Sequence, residues 1–150
     1  MPEQTIQEKN LSLVSAVAAG KPEIVAACLS NGADIHYDDD LALRSAAYLG
    51  YLDMVELLLK SGANVHADGD VALFAAVMAH DLAMAEKLVD KGANVQAVLD
   101  RRKRELDSES LHILDAVQTR SAKIAFEKNF AAYKEKTHKS GHGGLKPKAP

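Results

Sequence analysis

Two histidines in the same local sequence are the first candidates for chemistry in this chain. His36 and His66 each follow a Gly-Ala-Asp/Asn-Ile/Val segment, one repeat length apart. A metal site needs ligands clustered around one ion, whereas neighbouring packed helices lie about 10 Å apart, and Gln96 occupies the next equivalent position. We therefore predict that both histidines bond the backbone of a turn and that no metal is bound. Cys28, the only cysteine, has no base paired with it and is predicted to be a small core residue.

Three consecutive carboxylates, Asp38, Asp39 and Asp40, resemble half of a calcium-binding loop. The segment lacks the glycine and the distant glutamate that an EF-hand loop requires. Asp40 and Asp70 are predicted instead to cap the helices that follow them, which leaves Asp38, Asp39 and Asp68 at the tips of turns. The sequence contains no phosphate-binding loop, dinucleotide fingerprint or plausible catalytic triad. It therefore predicts no cofactor and no enzyme activity.

A basic cluster supports the less favoured of two functional hypotheses; its members are Arg101, Arg102, Lys103 and Arg104. Residues 1–100 contain 6 Lys and Arg against 15 Asp and Glu, a net charge of −9, and residues 101–150 contain 12 against 6, a net charge of +6. A basic segment can bind nucleic acid or an anionic surface. Because no aromatic residue that could stack on bases lies nearby, nucleic-acid binding is the alternative rather than the leading hypothesis.

A repeat organises the chain and positions these residues. Gly32, Gly62 and Gly92 each precede Ala-Asn/Asp-Ile/Val, so the period is 30 residues. A fixed period in this range indicates a stacked array of helical units, and each glycine ends a helix because it adopts the left-handed conformation at low cost. Capping, proline and periodicity signals predict helices over residues 6–19, 22–30, 41–49, 52–60, 71–79 and 82–91.

The period fails after Asp100, and a shift of 70 residues restores it. The matching pairs are Leu111 with Leu41, Ile113 with Leu43, Val117 with Ala47 and Ile124 with Met54. They predict a degenerate capping unit over 110–136 after an insertion at 100–109, which would cover the outermost apolar face of the array. Arg120 stands where the helix-breaking Gly50 stood, which leaves open one long bent helix instead of a pair. Residues 138–150 are predicted to be a disordered basic tail.

Residues 11–100 resemble ankyrin repeats. The second unit carries the resemblance, with Leu41-Ala42-Leu43-Arg44-Ser45-Ala46-Ala47 at its start and Gly62-Ala63-Asn64-Val65 at its end. The family's thr-pro-leu-his start is missing, and the unit is three residues shorter than the family's usual 33. The shortened turn is similar to those of bacterial and viral ankyrin units. The resemblance implies an all-α solenoid in one domain, 1–137, with units of about 5–40, 41–70 and 71–100 before the cap.

The resemblance also implies a non-enzymatic module that binds a protein through turn tips and the exposed side of the first helices. The positions that match this surface are Tyr37, Asp38, Asp39, Arg44, Tyr48, Leu49, Asp68 and Met78. Acidic tips imply a basic partner, and an inhibitor, immunity or host-interaction role is compatible with it. A third alternative, mimicry of nucleic acid by the acidic repeats, depends on their net charge alone. No apolar run spans a bilayer and the N-terminus does not resemble a signal peptide, so we expect a cytoplasmic monomer.

Overall fold

The computed structural model describes residues 3–140 and 148–149, with side chains described as far as residue 136 and for 148–149. This part of the chain contains eight α-helices and no strands, which confirms the predicted all-α ankyrin solenoid. The helices are α1 (Ile6–Ala18), α2 (Pro22–Ser30), α3 (Tyr37–Tyr48), α4 (Leu52–Lys60), α5 (Ala67–Met78), α6 (Leu82–Asp90), α7 (Val95–Arg102) and α8 (Ser108–Ser140), with a 3₁₀ helix at Lys103–Glu105. No helix in the described residues is long and apolar enough to cross a membrane.

Local signals set the ends of the first helices. The Thr5 hydroxyl accepts from the Glu8 amide at 3.2 Å while the Glu8 carboxylate accepts from the Thr5 amide at 2.8 Å, which is the predicted capping box. α1, α3 and α5 each end just before a residue with positive φ: Gly20 at 65°, Gly50 at 74° and His80 at 54°. His80 holds this left-handed conformation without the freedom of glycine, at a cost of about 1–2 kcal/mol.

The core repeats with the sequence. The first helices α1, α3 and α5 pack side by side, and α2, α4 and α6 pack each against its own partner. The equivalent side chains Leu13, Leu43 and Leu73 are almost fully buried. Leu58 and Leu88 are completely buried at another repeated position, where Cys28 is only half-buried. The prediction that Cys28 lies in the core is therefore only partly right.

Buried side-chain oxygens near the start of α1, α3 and α5 bond the turns that follow α2, α4 and α6. The acceptors Asn10, Asp40 and Asp70 receive the amides of Asp34, Asn64 and Asn94 at 2.7, 2.7 and 2.8 Å, respectively. The predicted capping role of Asp40 and Asp70 is therefore wrong. Asp38, Asp39 and Asp40 are left-handed, with φ of 50°, 51° and 56°, and this turn carries the Asp40 carboxylate into the space between units.

The fourth unit differs from its prediction. α7 lies within the predicted turn and insertion and packs against α5, while α8 packs mainly against α6. α8 is one helix of 33 residues, so the predicted helix pair is absent and the alternative that Arg120 left open, one long helix, is what the structure has. Its buried face consists of Ser110, Ile113, Leu114 and Val117. The predicted contact of Leu111 is wrong, because this side chain is 36% exposed.

The C-terminal boundary also changes. α8 continues to Ser140, so the predicted disordered tail cannot begin at residue 138. The rest of that prediction falls on residues 141–150, of which 141–147 and 150 lie outside the described residues.

Candidate functional site

The exposed side of the first helices carries a regular grid of side chains. In each helix the grid positions are i, i+3 and i+7, which share one face, and each column recurs 30 residues later. The members are Leu11, Val14 and Ala18 on α1, Leu41, Arg44 and Tyr48 on α3, and Val71, Phe74 and Met78 on α5. Seven of the nine, with Ser45, Leu49, Ala75 and Glu105, line a groove of about 580 Å³. We call it the first-helix groove.

Three predicted site residues meet at one end of the first-helix groove. Tyr48, Leu49 and Met78 are 70%, 42% and 40% exposed, respectively, although they are large and apolar. Phe74 and Val71 complete the apolar wall and were missed by the sequence prediction. Their signal was available, since each is apolar and lies 30 residues after a position on the exposed face of α3.

The turn tips carry an ion-pair network instead of free carboxylates. The Arg44 guanidinium donates to the Asp38 carbonyl oxygen at 2.9 Å and lies 3.5 Å from its carboxylate and 4.0 Å from that of Asp68. Arg102 lies 3.4 Å from Asp68 and 3.8 Å from Glu105. Asp38 and Asp68 are therefore partly neutralised within the chain. Of the remaining predicted tip residues, Tyr37 is half-buried and Asp39 is exposed, with no ion pair among the described residues.

Half of the predicted basic cluster folds onto the third unit. The Arg102 guanidinium lies 4.7 Å above the centre of the Phe74 ring, a favourable cation–π arrangement. Arg101 covers Gly69 so closely that a Cβ atom there would lie 2.7 Å from its side chain. Only Lys103 and Arg104 extend from the 3₁₀ helix as exposed cations without such contacts in the described residues.

The two repeated histidines have a structural role, with a partner that differs from the predicted one. The Nδ1 atoms of His36 and His66 lie 3.1 and 3.0 Å from the buried carboxylates of Asp40 and Asp70, respectively. The rings therefore bond side chains, not the turn backbone. Within the described residues, no group of three or more His, Cys, Asp or Glu side chains is arranged to hold a metal ion.

A polar junction joins α8 to the third unit. Asp107 accepts from the Ser110 amide at 2.8 Å and from His80 Nε2 at 3.2 Å. The hydrogen bond from the Ser110 amide, with a smaller contribution from His80, lowers the pKa of Asp107 to about 2. The buried Ser110 hydroxyl donates to the Val77 carbonyl oxygen at 3.3 Å. These contacts place the start of α8 beside the end of α5.

Comparison with known families agrees with this architecture. The family model "Ankyrin repeats (3 copies)" matches residues 12–98, which is more than half of the chain. The protein belongs to the ankyrin repeat family. Members of this family generally mediate protein–protein interaction and are typically not enzymes. Comparison with curated proteins finds no match to this chain.

Proposed function

We propose that this protein is a non-enzymatic binding module that receives an apolar or aromatic segment of a protein partner in the first-helix groove. The observation that carries the proposal is the exposure of Tyr48, Leu49 and Met78 along one groove. Large apolar side chains that stay exposed together mark interaction surfaces. Tyrosine and methionine are also enriched at protein interfaces.

The electrostatics of the repeats support a basic partner, with most of the affinity coming from apolar contacts. Residues 1–100 have a net charge of −9, which attracts a basic protein at long range. At the tips, Arg44 and Arg102 already pair with Asp38 and Asp68, so these two carboxylates have less charge to offer. Asp39 is the predicted tip carboxylate left for a partner. Rim charges of this kind act chiefly on the association rate and its salt dependence.

A quantitative binding experiment tests the proposal. A partner captured from the source organism is purified, and its affinity is measured for the unmodified protein, Tyr48→Ala and Tyr51→Ala. Tyr51 is the control because it is an exposed tyrosine that packs on Gly20 outside the groove. We expect Tyr48→Ala to weaken binding at least about tenfold, as interface hot spots do, and Tyr51→Ala to have little effect. Equal affinities for all three proteins would place the binding site elsewhere.

The basic character of the partner has its own test. Asp39→Lys should slow association at low salt, and the difference from the unmodified protein should shrink as salt increases. Asp53→Lys is the matched control, since Asp53 is exposed at the start of α4, outside the groove. Faster association of Asp39→Lys would indicate an acidic partner.

The folded structure supports nucleic-acid binding less than the sequence alone does. Arg102 pairs with Asp68 and lies over Phe74, which leaves three exposed cations of the cluster, one of which, Arg101, packs on Gly69. A gel shift with random DNA and RNA at low salt tests it, and absence of retardation excludes it. Monomeric state, cytoplasmic location and an inhibitor, immunity or host-interaction role stay predictions.

A further inference from the structure

The first-helix groove carries a carboxylate at one end. Two of the described residues that line it are charged, Arg44 on α3 and Glu105 in the 3₁₀ helix that follows α7. Because α7 packs beside α5, Glu105 lies on the side of the fourth unit, whereas Ala18 of α1 lines the opposite end. The segment after the third unit therefore adds a negative charge to a surface that is otherwise mostly apolar.

These two charged side chains belong to one ion-pair network but are satisfied to different degrees. The Arg44 guanidinium donates to the Asp38 carbonyl oxygen at 2.9 Å and lies near the carboxylates of Asp38 and Asp68. Glu105 is 54% exposed and lies 3.8 Å from Arg102, which is closer to Asp68, at 3.4 Å. Three carboxylates thus share two guanidiniums, a net charge of −1. Glu105 is the carboxylate of this network that lines the groove.

The surface beside Glu105 already holds one guanidinium. Arg102 lies 4.7 Å above the centre of the Phe74 ring, and Phe74 lines the first-helix groove. An aromatic face next to a carboxylate is a favourable environment for a cation. The exposed cations Lys103 and Arg104 precede Glu105 in the chain but are not among the described residues that line the groove. The groove side of the 3₁₀ helix is therefore suited to a positively charged group.

We infer that Glu105 receives a basic side chain of the partner, so that the first-helix groove selects a segment in which a lysine or arginine accompanies an apolar or aromatic residue. The inference rests on the proposed function, in which the apolar residue contacts Tyr48, Leu49 and Met78. Charge complementarity supports this occupant, because one added cation balances the net charge of the network. An acidic segment would meet like charges at Glu105 and Asp68, which disfavours it.

Selection from a random peptide library tests which charge the groove prefers. Phage-displayed random peptides are selected on the unmodified protein, Glu105→Lys and Glu127→Lys. Glu127→Lys is the control, because Glu127 is exposed on α8, is not among the groove-lining residues and changes the net charge equally when reversed. We expect the unmodified protein and the control to enrich peptides that combine a lysine or arginine with an apolar or aromatic residue. Glu105→Lys should enrich peptides with an acidic residue in place of the basic one.

Synthetic peptides make the preference quantitative. A peptide enriched on the unmodified protein is synthesised with its basic residue and with glutamate in that place, and affinities are measured by fluorescence polarisation. An exposed ion pair contributes up to about fivefold in affinity, and charge reversal adds repulsion, so Glu105→Lys should weaken the original peptide about tenfold. The glutamate peptide should recover part of this loss on Glu105→Lys but not on the control. Tyr48→Ala, measured with the original peptide, verifies that the peptide occupies the groove.

The outcomes separate this inference from the proposed function. A peptide that is weakened by Tyr48→Ala but binds Glu105→Lys as tightly as Glu127→Lys would overturn the role of Glu105 and leave the groove as the binding site. The absence of enriched peptides, or enriched peptides that are insensitive to Tyr48→Ala, would contradict both. Circular dichroism verifies that each variant is folded.

Discussion

The repeat array and the C-terminal region differ in backbone conformation at equivalent positions. In the array, the chain reverses at Gly20, Gly50 and His80, all with positive φ. In the C-terminal region the aligned residue is Arg120, and the helix continues through it. Arginine is a good helix former, whereas glycine is favoured where the chain must turn. The third unit turns at His80 without a glycine, so the difference lies in the backbone conformation at this position: left-handed in the array and helical at Arg120.

Arg120 also ties the long helix to the array. Its guanidinium lies 3.6 Å from Glu86 and 3.1 Å from Asp90, both on α6. Core packing changes with the helix: buried residues recur every 30 positions in the array, while in α8 they follow a single helical face. The comparison teaches that the end of this solenoid is covered by one continuous apolar face, and not by a fourth copy of the unit.

Removing that cover should have the largest effect. A chain ending at Asp100 lacks α8 and exposes completely buried side chains such as Val77 and Leu88. Because a solenoid needs a capped end, we expect this fragment to aggregate or to fold only in part, as judged by size-exclusion chromatography and circular dichroism. A chain ending at Ser140 should stay folded. A monomeric 1–100 fragment as stable as the whole chain would show that the cap is dispensable.

Core truncation should cost about the same in both regions. Leu58 in the array is completely buried and Leu114 in α8 is 1% exposed, so truncating either to alanine should lower the free energy of unfolding by about 2–5 kcal/mol. Leu111→Ala is the control in the same helix, with an expected loss below about 1 kcal/mol because Leu111 already faces solvent. Urea unfolding measures all three. A large loss of unfolding free energy for Leu111→Ala would support the packing of Leu111 against the array that the sequence predicted.

Loss of one of the buried acceptors Asn10, Asp40 and Asp70 should lower the free energy of unfolding by a smaller amount. Asp70→Ala leaves the Asn94 amide without its acceptor, and an unpaired buried donor costs about 1–3 kcal/mol. Asp39→Ala removes an exposed carboxylate of the preceding unit and should change stability by less than about 0.5 kcal/mol. Urea midpoints of the two variants measure the difference. Similar midpoints would mean that the buried hydrogen bond of Asp70 stabilises the fold no more than an exposed carboxylate does.

The junction between the two regions should produce the smallest effect, visible as a pH dependence. The pKa of Asp107 is lowered from its ordinary value of 3.8 to about 2. A lowered pKa contributes stability that is complete above the ordinary value and is lost as the pH falls towards the folded value. The melting temperature of Asp107→Asn should therefore be below that of the unmodified protein near neutral pH, and the gap should close between about pH 4 and pH 2. A gap that persists to the acid limit would mean that the carboxylate charge is not involved.

The sequence by itself determined the repeat and the surface that the repeat presents. In a solenoid each unit contacts only its neighbours, so a local pattern repeated in register is enough to define the architecture. Gly32, Gly62 and Gly92 mark the ends of the units in the sequence. Tyr48 and Met78 were assigned through the resemblance to ankyrin repeats, whose first helices present this surface.

The tertiary structure alone decided which groups pair across the chain. Asp40 is a residue type that often caps helices, yet the packing of the helices brings the Asn64 amide within 2.7 Å of its carboxylate. Arg102 belongs to a basic cluster in the sequence, yet the fold places it against Asp68 and Phe74. Each partner lies more than twenty residues away, and hydrogen bonds and ion pairs depend on separations of a few ångströms. Such distances are set by how the units pack on one another, which no local pattern specifies.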